Sequence, residues 1–360
     1  MEEKKYLIWL SLIEGVGSKT IEKLIDFYGS AKRVYDASEK ELSAVDCVHH
    51  SVIRNIMRNK DISKVEELIL EAQRMKINIL DYNDGEYPVH LRDIYDPPYI
   101  LYEKGQIIKQ DKYAIAIVGA RKASAYGKWA AYTLAGELAK LGITVVSGLA
   151  YGIDTCAHKG ALDNNGRTIA VLGCGVDICY PPSNLHLMEQ IVNQGAVISQ
   201  YPISTQPLPQ YFPSRNRIIS GISMGVVVVE ATIKSGSLIT ADFALEQGRE
   251  VFAVPGNINS SLSQGTNKLI REGAKIVTDV QDILDELNLE LLNNPVKNLP
   301  PLSETESKVF HIIEAYQPIH MEELLYKIKF SSEQLSSIIT ILQLKGMIDQ
   351  LPGKILIIKK

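Results

Sequence analysis

The chain has 360 residues, 46% hydrophobic and 22% charged, which suits one or two ordinary domains with room for a small third and no need of disulfide staples. Lys and Arg number 38 against 42 Asp and Glu, a formal net charge of −4, and this excludes a histone-like protein that coats nucleic acid by bulk charge. Cys47, Cys156, Cys174 and Cys179 form no CxxC pair. They read as reduced thiols of a cytoplasmic protein with no metal site and no membrane span.

Residues 1–80 read as short helices. Leu7, Leu10, Leu12 and Ile13 precede Gly15-Val16-Gly17, and Ile21, Leu24, Ile25 and Phe27 follow. A GxG turn between helices suits a small module of SAM or helix-hairpin-helix type; such a turn either tightens the chain or grips a phosphate with its backbone N–H groups. The stretch Tyr87–Gly105 reads as an ordered linker, with Pro97-Pro98 barring a helix.

Residues 81–290 alternate short apolar runs with helix-length amphipathic segments. The runs are Ala114–Val118, Thr144–Val146, Thr168–Leu172, Ala196–Ser199, Val226–Val229, Val251–Val254 and Lys275–Val277. Most are continuous, as expected of strands covered on both faces. Repeated strand–helix units predict an α/β fold with a doubly wound, mostly parallel sheet, whose ligands bind beyond the carboxyl ends of the strands.

The segments just after the runs therefore carry the site. Gly119, Arg121 and Lys122 follow the first run, and free helix-start N–H groups beside two cations make an anion site. Ser147 and Gly148 follow the second, with Asp154 as a helix cap and His158 as a core residue. Cys174 follows the third but has no evident partner for nucleophilic work. In Phe212-Pro213-Ser214-Arg215-Asn216-Arg217, Ser214 is placed to cap a helix starting at Arg215. Arg215 and Arg217 are two apart, so one braces the fold while the other faces the cleft. Cations beside Tyr201, Tyr211 and Phe212 suit single-stranded nucleic acid. After the fifth run, Lys234, Ser235, Gly236 and Ser237 form a second anion cradle. Glu230 is placed either as a catalytic base or as a structural anchor for a hydroxyl or an arginine.

Between residues 111 and 275 there are 14 basic and 11 acidic side chains, and Asp279, Asp282, Asp285, Glu286 and Glu290 then cluster in the exit helix. The positive charge is thus expected at one rim of the sheet. A linker at 291–300 ends in Pro300-Pro301. Three helical patterns, Glu304–Ala315, Met321–Ile328 and Ser332–Lys345, and a hairpin around Pro352-Gly353 then predict a winged helix over 301–360. With 7 basic and 7 acidic residues, this tail is a weak duplex binder on charge alone.

The strings IVGARKASAYG, SGLAYGIDTCAH, TIAVLGCGVDICYP, FPSRNRIISGIS, VVVVEATIKSGSLITADFALEQGREVFAVPG and GTNKLIREGAKIV together resemble the bacterial DNA processing protein A family (DprA, also Smf). The resemblance spans about residues 1–290, and Leu208-Pro209-Gln210 departs from it where relatives can carry a lysine. It implies an extended Rossmann-like domain that binds single-stranded DNA in a basic pocket without hydrolysing nucleotides and without a cofactor. It also implies a homodimer that protects incoming DNA in natural transformation and helps load the recombinase RecA. The implied pocket holds Gly119, Arg121, Ser147, Gly148, Phe212, Arg215, Asn216 and Arg217. Lys122, Lys234 and the Ser235, Gly236 and Ser237 turn are added from charge and backbone chemistry, with Asp154 and Glu230 as structural pocket residues. The rival class is a nucleotide-hydrolysing Rossmann enzyme of the phosphoribohydrolase type. Its PGGxGTxxE turn is matched here only by SGSLITADFA, which lacks the glutamate.

Overall fold

The apolar runs of the middle segment become strands because backbone pairing and burial on both faces satisfy them together. The computed structural model describes residues 2–46, 48–289, 303–328, 330–345, 347–351 and 353–358. Cys47, Glu290, the expected 291–300 linker, Pro301 and Pro352 lie outside the described residues. The chain divides into two units, residues 1–290 and 291–360.

In the first unit the strands are β1 (Asn78–Asp81), β2 (Ile100–Gly105), β3 (Ala114–Val118), β4 (Thr144–Ser147), β5 (Thr168–Val171), β6 (Ala196–Ser199), β7 (Gly225–Val228), β8 (Glu250–Ala253) and β9 (Lys275–Ile276). They form one sheet in the order β1-β2-β6-β5-β4-β3-β7-β8-β9. Pairing is parallel from β6 through to β9, and β2 joins β6 and β1 antiparallel. The chain winds outwards from β3 in one direction and resumes at β7 on its other side. That reversal places a crevice beyond the carboxyl ends of β3 and β7.

Alternate residues of each strand feed opposite cores. Ala170 and Val197 join the N-terminal helices, with Leu7, Leu10, Leu24 and Ile53. Ile169, Val171 and Ile198 join the opposite layer, with Ile218, Ile222, Ala241 and Ala244. The helices of the N-terminal stretch share this first core with Ile100 and Tyr102 of β2.

Two readings of the sequence need correction. The stretch Tyr87–Gly105 is not a plain linker. Pro97-Pro98 confines helix to Val89–Arg92, but residues 100–105 are free to pair, and they become a buried strand against β6. The helix after β6 runs Tyr211–Ile222, so it starts a turn before Arg215. Pro213 is tolerated in its first turn, where its missing N–H has no partner to lose, and the Ser214 hydroxyl lies 3.4 Å from the Gln210 carbonyl instead of capping.

In the second unit, helices Glu304–Tyr316, Met321–Lys327 and Ser332–Leu344 pack on a three-stranded sheet ordered β10 (Ile319–His320), β12 (Ile355–Ile358), β11 (Ile348–Leu351). This is the expected winged helix, with its own core of Val309, Ile313, Leu324, Leu335, Ile339 and Leu356. No helix among the described residues is long and apolar enough to cross a membrane.

Candidate functional site

A cleft of about 470 Å³ opens beyond the carboxyl ends of β3 and β7. Gly119 and Arg121 line it from the loop after β3, and Asp154 from the helix after β4. Phe212, Arg215 and Asn216 contribute from the helix Tyr211–Ile222, and Ser235, Gly236 and Ser237 from the turn after β7. A smaller recess of about 60 Å³ adjoins it, lined by Arg121, Gly148, Tyr151, Tyr180, Phe212 and Arg215. Eight of the binding residues read from the sequence are thus brought to the main cleft, and Gly148 to the recess.

Arg121 is exposed, and its guanidinium lies 5.5 Å from the centre of the Phe212 ring. The Tyr180 ring stands 5.5 Å beyond Phe212. A cation over an aromatic face, with a second ring alongside, offers both a phosphate partner and stacking platforms. On the opposite wall, Ser235 precedes the helix Gly236–Glu246 and accepts no capping bond. The Ser235 and Ser237 hydroxyls lie 2.8 Å apart, beside the free N–H groups of that helix start. Asn216 reaches across to the Gly236 carbonyl at 3.3 Å.

Arg215 lies inside this wall rather than on it. It is 5% exposed. Its guanidinium donates to the carbonyls of Gly148 and Val171, and its Nε donates to Asn216 at 3.2 Å. A side chain at position 148 would occupy the guanidinium's space, which explains the glycine. Burial pushes the Arg215 pKa down to about 10, with the Asp154 charge opposing the shift. Burial raises the Asp154 carboxyl above its ordinary value, opposed by Arg215 and by N–H groups of Ala150 and Gly148. Asp154 therefore ties the loop after β4 to the helix that follows, with Gly148 N at 3.1 Å and Ala150 N at 3.4 Å.

The structure does not bring Arg217 to the cleft. Its Nε pairs with Asp96 at 3.1 Å and its Nη2 donates to Gln200, on the side of the helix away from Arg215. Ser147 is also interior, its hydroxyl donating to the Ile117 carbonyl at 2.6 Å. Lys122 and Lys234 are exposed and form no ion pair among the described residues. Of the cations expected at the rim, Arg121 lines the cleft, Lys122 and Lys234 are exposed beside lining residues in sequence without lining it themselves, and both arginines of the 212–217 segment are buried.

Glu230 is 4% exposed and does not line the cleft. It accepts from the Ser124 N–H at 2.9 Å and from the Ser124 hydroxyl, while Ser124 caps the helix Ala125–Lys140 through Gly127 N–H. His158 pairs with the Thr168 hydroxyl at 2.7 Å. Burial holds Cys174 at a pKa of about 11, unsuited to a thiolate.

Sequence reasoning did not select Tyr151 or Tyr180 for the site. Both stand just past strand carboxyl ends, and that position was the available signal.

A model of the DNA recombination-mediator protein A family matches residues 78–288, and one of the DprA winged helix domain matches residues 293–354. The DNA processing protein DprA of Streptococcus pneumoniae is 44% identical over 223 residues, covering 62% of this chain and 79% of that one. The X-ray structure of DNA processing protein A from that organism superposes with a TM-score of 0.68 at 37% identity, covering 78% of this chain and 97% of that one. Protein Smf of Synechocystis is 31% identical over an alignment covering 98% of each chain. A structure of DNA processing protein A from Helicobacter pylori, described for its single-stranded DNA binding mode, superposes with a TM-score of 0.54 at 32% identity, covering 60% of this chain and 97% of that one.

Proposed function

Because the chain belongs to the DNA recombination-mediator protein A family, we propose that it binds single-stranded DNA in the cleft beyond the carboxyl ends of β3 and β7. The observation that carries this reading is Arg121 seated over Phe212 with Tyr180 beside it, opposite an uncapped helix start. Phosphates meet Arg121, Lys122, Lys234, the Ser235 and Ser237 hydroxyls and the N–H groups of Gly236 and Ser237; bases stack on Phe212 and Tyr180. Gly119 lets the backbone come close, and Asn216 positions the facing turn. The binding mode described for the Helicobacter pylori relative supports the choice of ligand.

The wider role proposed is protection of incoming single strands in natural transformation, by a cytoplasmic homodimer that delivers them to RecA. The proposal keeps residues 1–80 as a helical module, 81–290 as the binding domain, 291–300 as a linker and 301–360 as the winged helix. It assigns no catalysis and no cofactor. Glu230, spent on Ser124, is an anchor in this reading.

Fluorescence anisotropy with labelled oligothymidylate tests it. Arg121→Ala and Phe212→Ala should each weaken binding by about 1–3 kcal/mol, with the Arg121 effect largest at low salt. Normal binding by both variants across a salt titration sinks the cleft assignment. Steady release of base or phosphate from nucleotides, lost in Glu230→Gln, would replace it with the enzyme reading.

A further inference from the structure

The helices Ala125–Lys140 and Ile153–Asp163 follow the adjacent parallel strands β3 and β4, so both start at the cleft and run away from it side by side. Their heads are pinned together, with Ile153 N–H donating to the Ala120 carbonyl at 3.3 Å and Gly152 packed on the Arg121 backbone. Further along, Gly160 packs on the Tyr132 backbone and Gly136 on Asn164. The two helices therefore frame a shallow surface that begins at Arg121 and Tyr151.

The part of this surface nearest the cleft carries cations without exposed acids. From Val118 to Gly136 the sequence has no carboxylate but holds Arg121, Lys122 and Lys128, and the first acid, the half-buried Glu137, comes in the last turn of the helix; from Ser147 to Leu162 the single acid is the buried Asp154. Lys122, Lys128 and Lys159 are exposed. Lys128 and Lys159 flank Cys156 closely enough that their charges oppose the burial that raises its thiol pKa. Large exposed rings occupy the same two helix starts: Tyr151 is 50% exposed, Trp129 62% and Tyr126 48%, with the Tyr126 hydroxyl 3.4 Å from the Pro255 carbonyl on the β8 side. Tyr126 and Trp129 lie 6.1 Å apart. At the far end Tyr132 donates to Asp163 at 3.0 Å, and that carboxylate marks where a polyanion must turn away. Exposed aromatics beside lysines that form no ion pair among the described residues, continuous with the cleft mouth, match the chemistry of a single strand.

We propose that this surface is an exit track for the bound strand. Beyond the cleft its phosphates follow Lys122, Lys128 and Lys159, and its bases rest against Tyr126 and Trp129. The proposal rests on the cleft being the primary site, so the test separates the two. A short oligothymidylate of about 6 nucleotides fills the cleft alone, and one of about 20 reaches the track.

The double variant Lys128→Gln/Lys159→Gln should bind the short oligomer normally. It should bind the long one about tenfold more weakly at low salt, with the salt slope reduced by about 1.4, two phosphates at about 0.7 each. Arg121→Ala should weaken both oligomers, which isolates failure of the cleft from failure of the track. The chain has two tryptophans, and Trp9 is only 2% exposed, so emission changes at the surface report Trp129. The long oligomer should quench that emission and the short one should not. Unchanged long-oligomer affinity in the lysine variant overturns the track. So does Trp129 emission that ignores the long oligomer, or that falls with protein concentration alone, since the latter gives the face to a second copy of the chain.

Discussion

Arg215 and Asp154 illustrate how a site can be held from beneath. A buried guanidinium keeps its charge only if its donors are matched, and here two carbonyls and Asn216 accept from it while the Asp154 charge lies near enough to favour the cation. Arg215→Ala should therefore cost about 3–5 kcal/mol in urea denaturation, since it leaves Asp154 buried without its cation. Arg215→Lys should recover little, because an ammonium cannot copy the planar fork. A variant of full stability that loses single-strand affinity would instead place Arg215 among the contact residues. His158 makes a second prediction. The Thr168 hydroxyl donates to the Val145 carbonyl, so it accepts from His158 Nδ1–H, and Nε2 is left buried without a partner. Burial lowers this histidine from an ordinary 6.5 to about 3. Between those values the unfolded chain binds a proton that the folded chain refuses. The stability is fully present above pH 6.5 and drains away as the pH falls towards 3, by up to about 1.4 kcal/mol per pH unit. His158→Gln should flatten that part of the stability–pH profile; an unchanged slope would rule out His158 as its source.

At the scale of elements, the helix after β3 depends on a cap fixed from across the sheet. Ser124 accepts from Gly127 N–H while Glu230, at the end of β7, accepts from both the Ser124 N–H and its hydroxyl. Ser124→Ala removes the cap and one partner of a buried carboxylate, so a loss of about 1–3 kcal/mol is expected in a thermal melt. A loss below about 0.5 kcal/mol would show that Glu230 finds other partners. The sequence pattern revealed the parallel strands well because continuous Val/Ile runs have few other uses. It hid β2 because Pro97-Pro98 dominates that neighbourhood, and it hid β1 because Asn78–Asp81 has only Ile79 and Leu80 between two polar residues, too short an apolar run to mark a strand. The cleft was legible from the turn residues after each strand. What was not legible was orientation. Two arginines two positions apart must face different ways, but only packing shows that Arg215 meets Gly148 and Arg217 meets Asp96.

At the scale of the whole molecule, a net charge of −4 is compatible with polyanion binding once the cations are located. Arg121 lines the cleft and the exposed Lys122 and Lys234 adjoin lining residues in sequence, whereas several carboxylates are committed elsewhere: Asp111 to Arg167, Asp96 to Arg217, Glu286 to Lys275. The winged helix carries equal numbers of acids and bases, and one of its lysines, Lys345, is bound to Glu306 at 2.7 Å. It also closes a hydrophobic core of its own. Removing residues 291–360 should thus leave the first unit folded, with its sheet and cleft residues intact. Single-strand affinity of the truncated chain should stay within about twofold, and its salt slope should be unchanged, because no phosphate contact assigned here lies in the removed part. Circular dichroism establishes that the truncated protein is folded, and anisotropy on the same sample then decides the point. A tenfold loss of affinity in a folded truncation would move the main binding site into the winged helix.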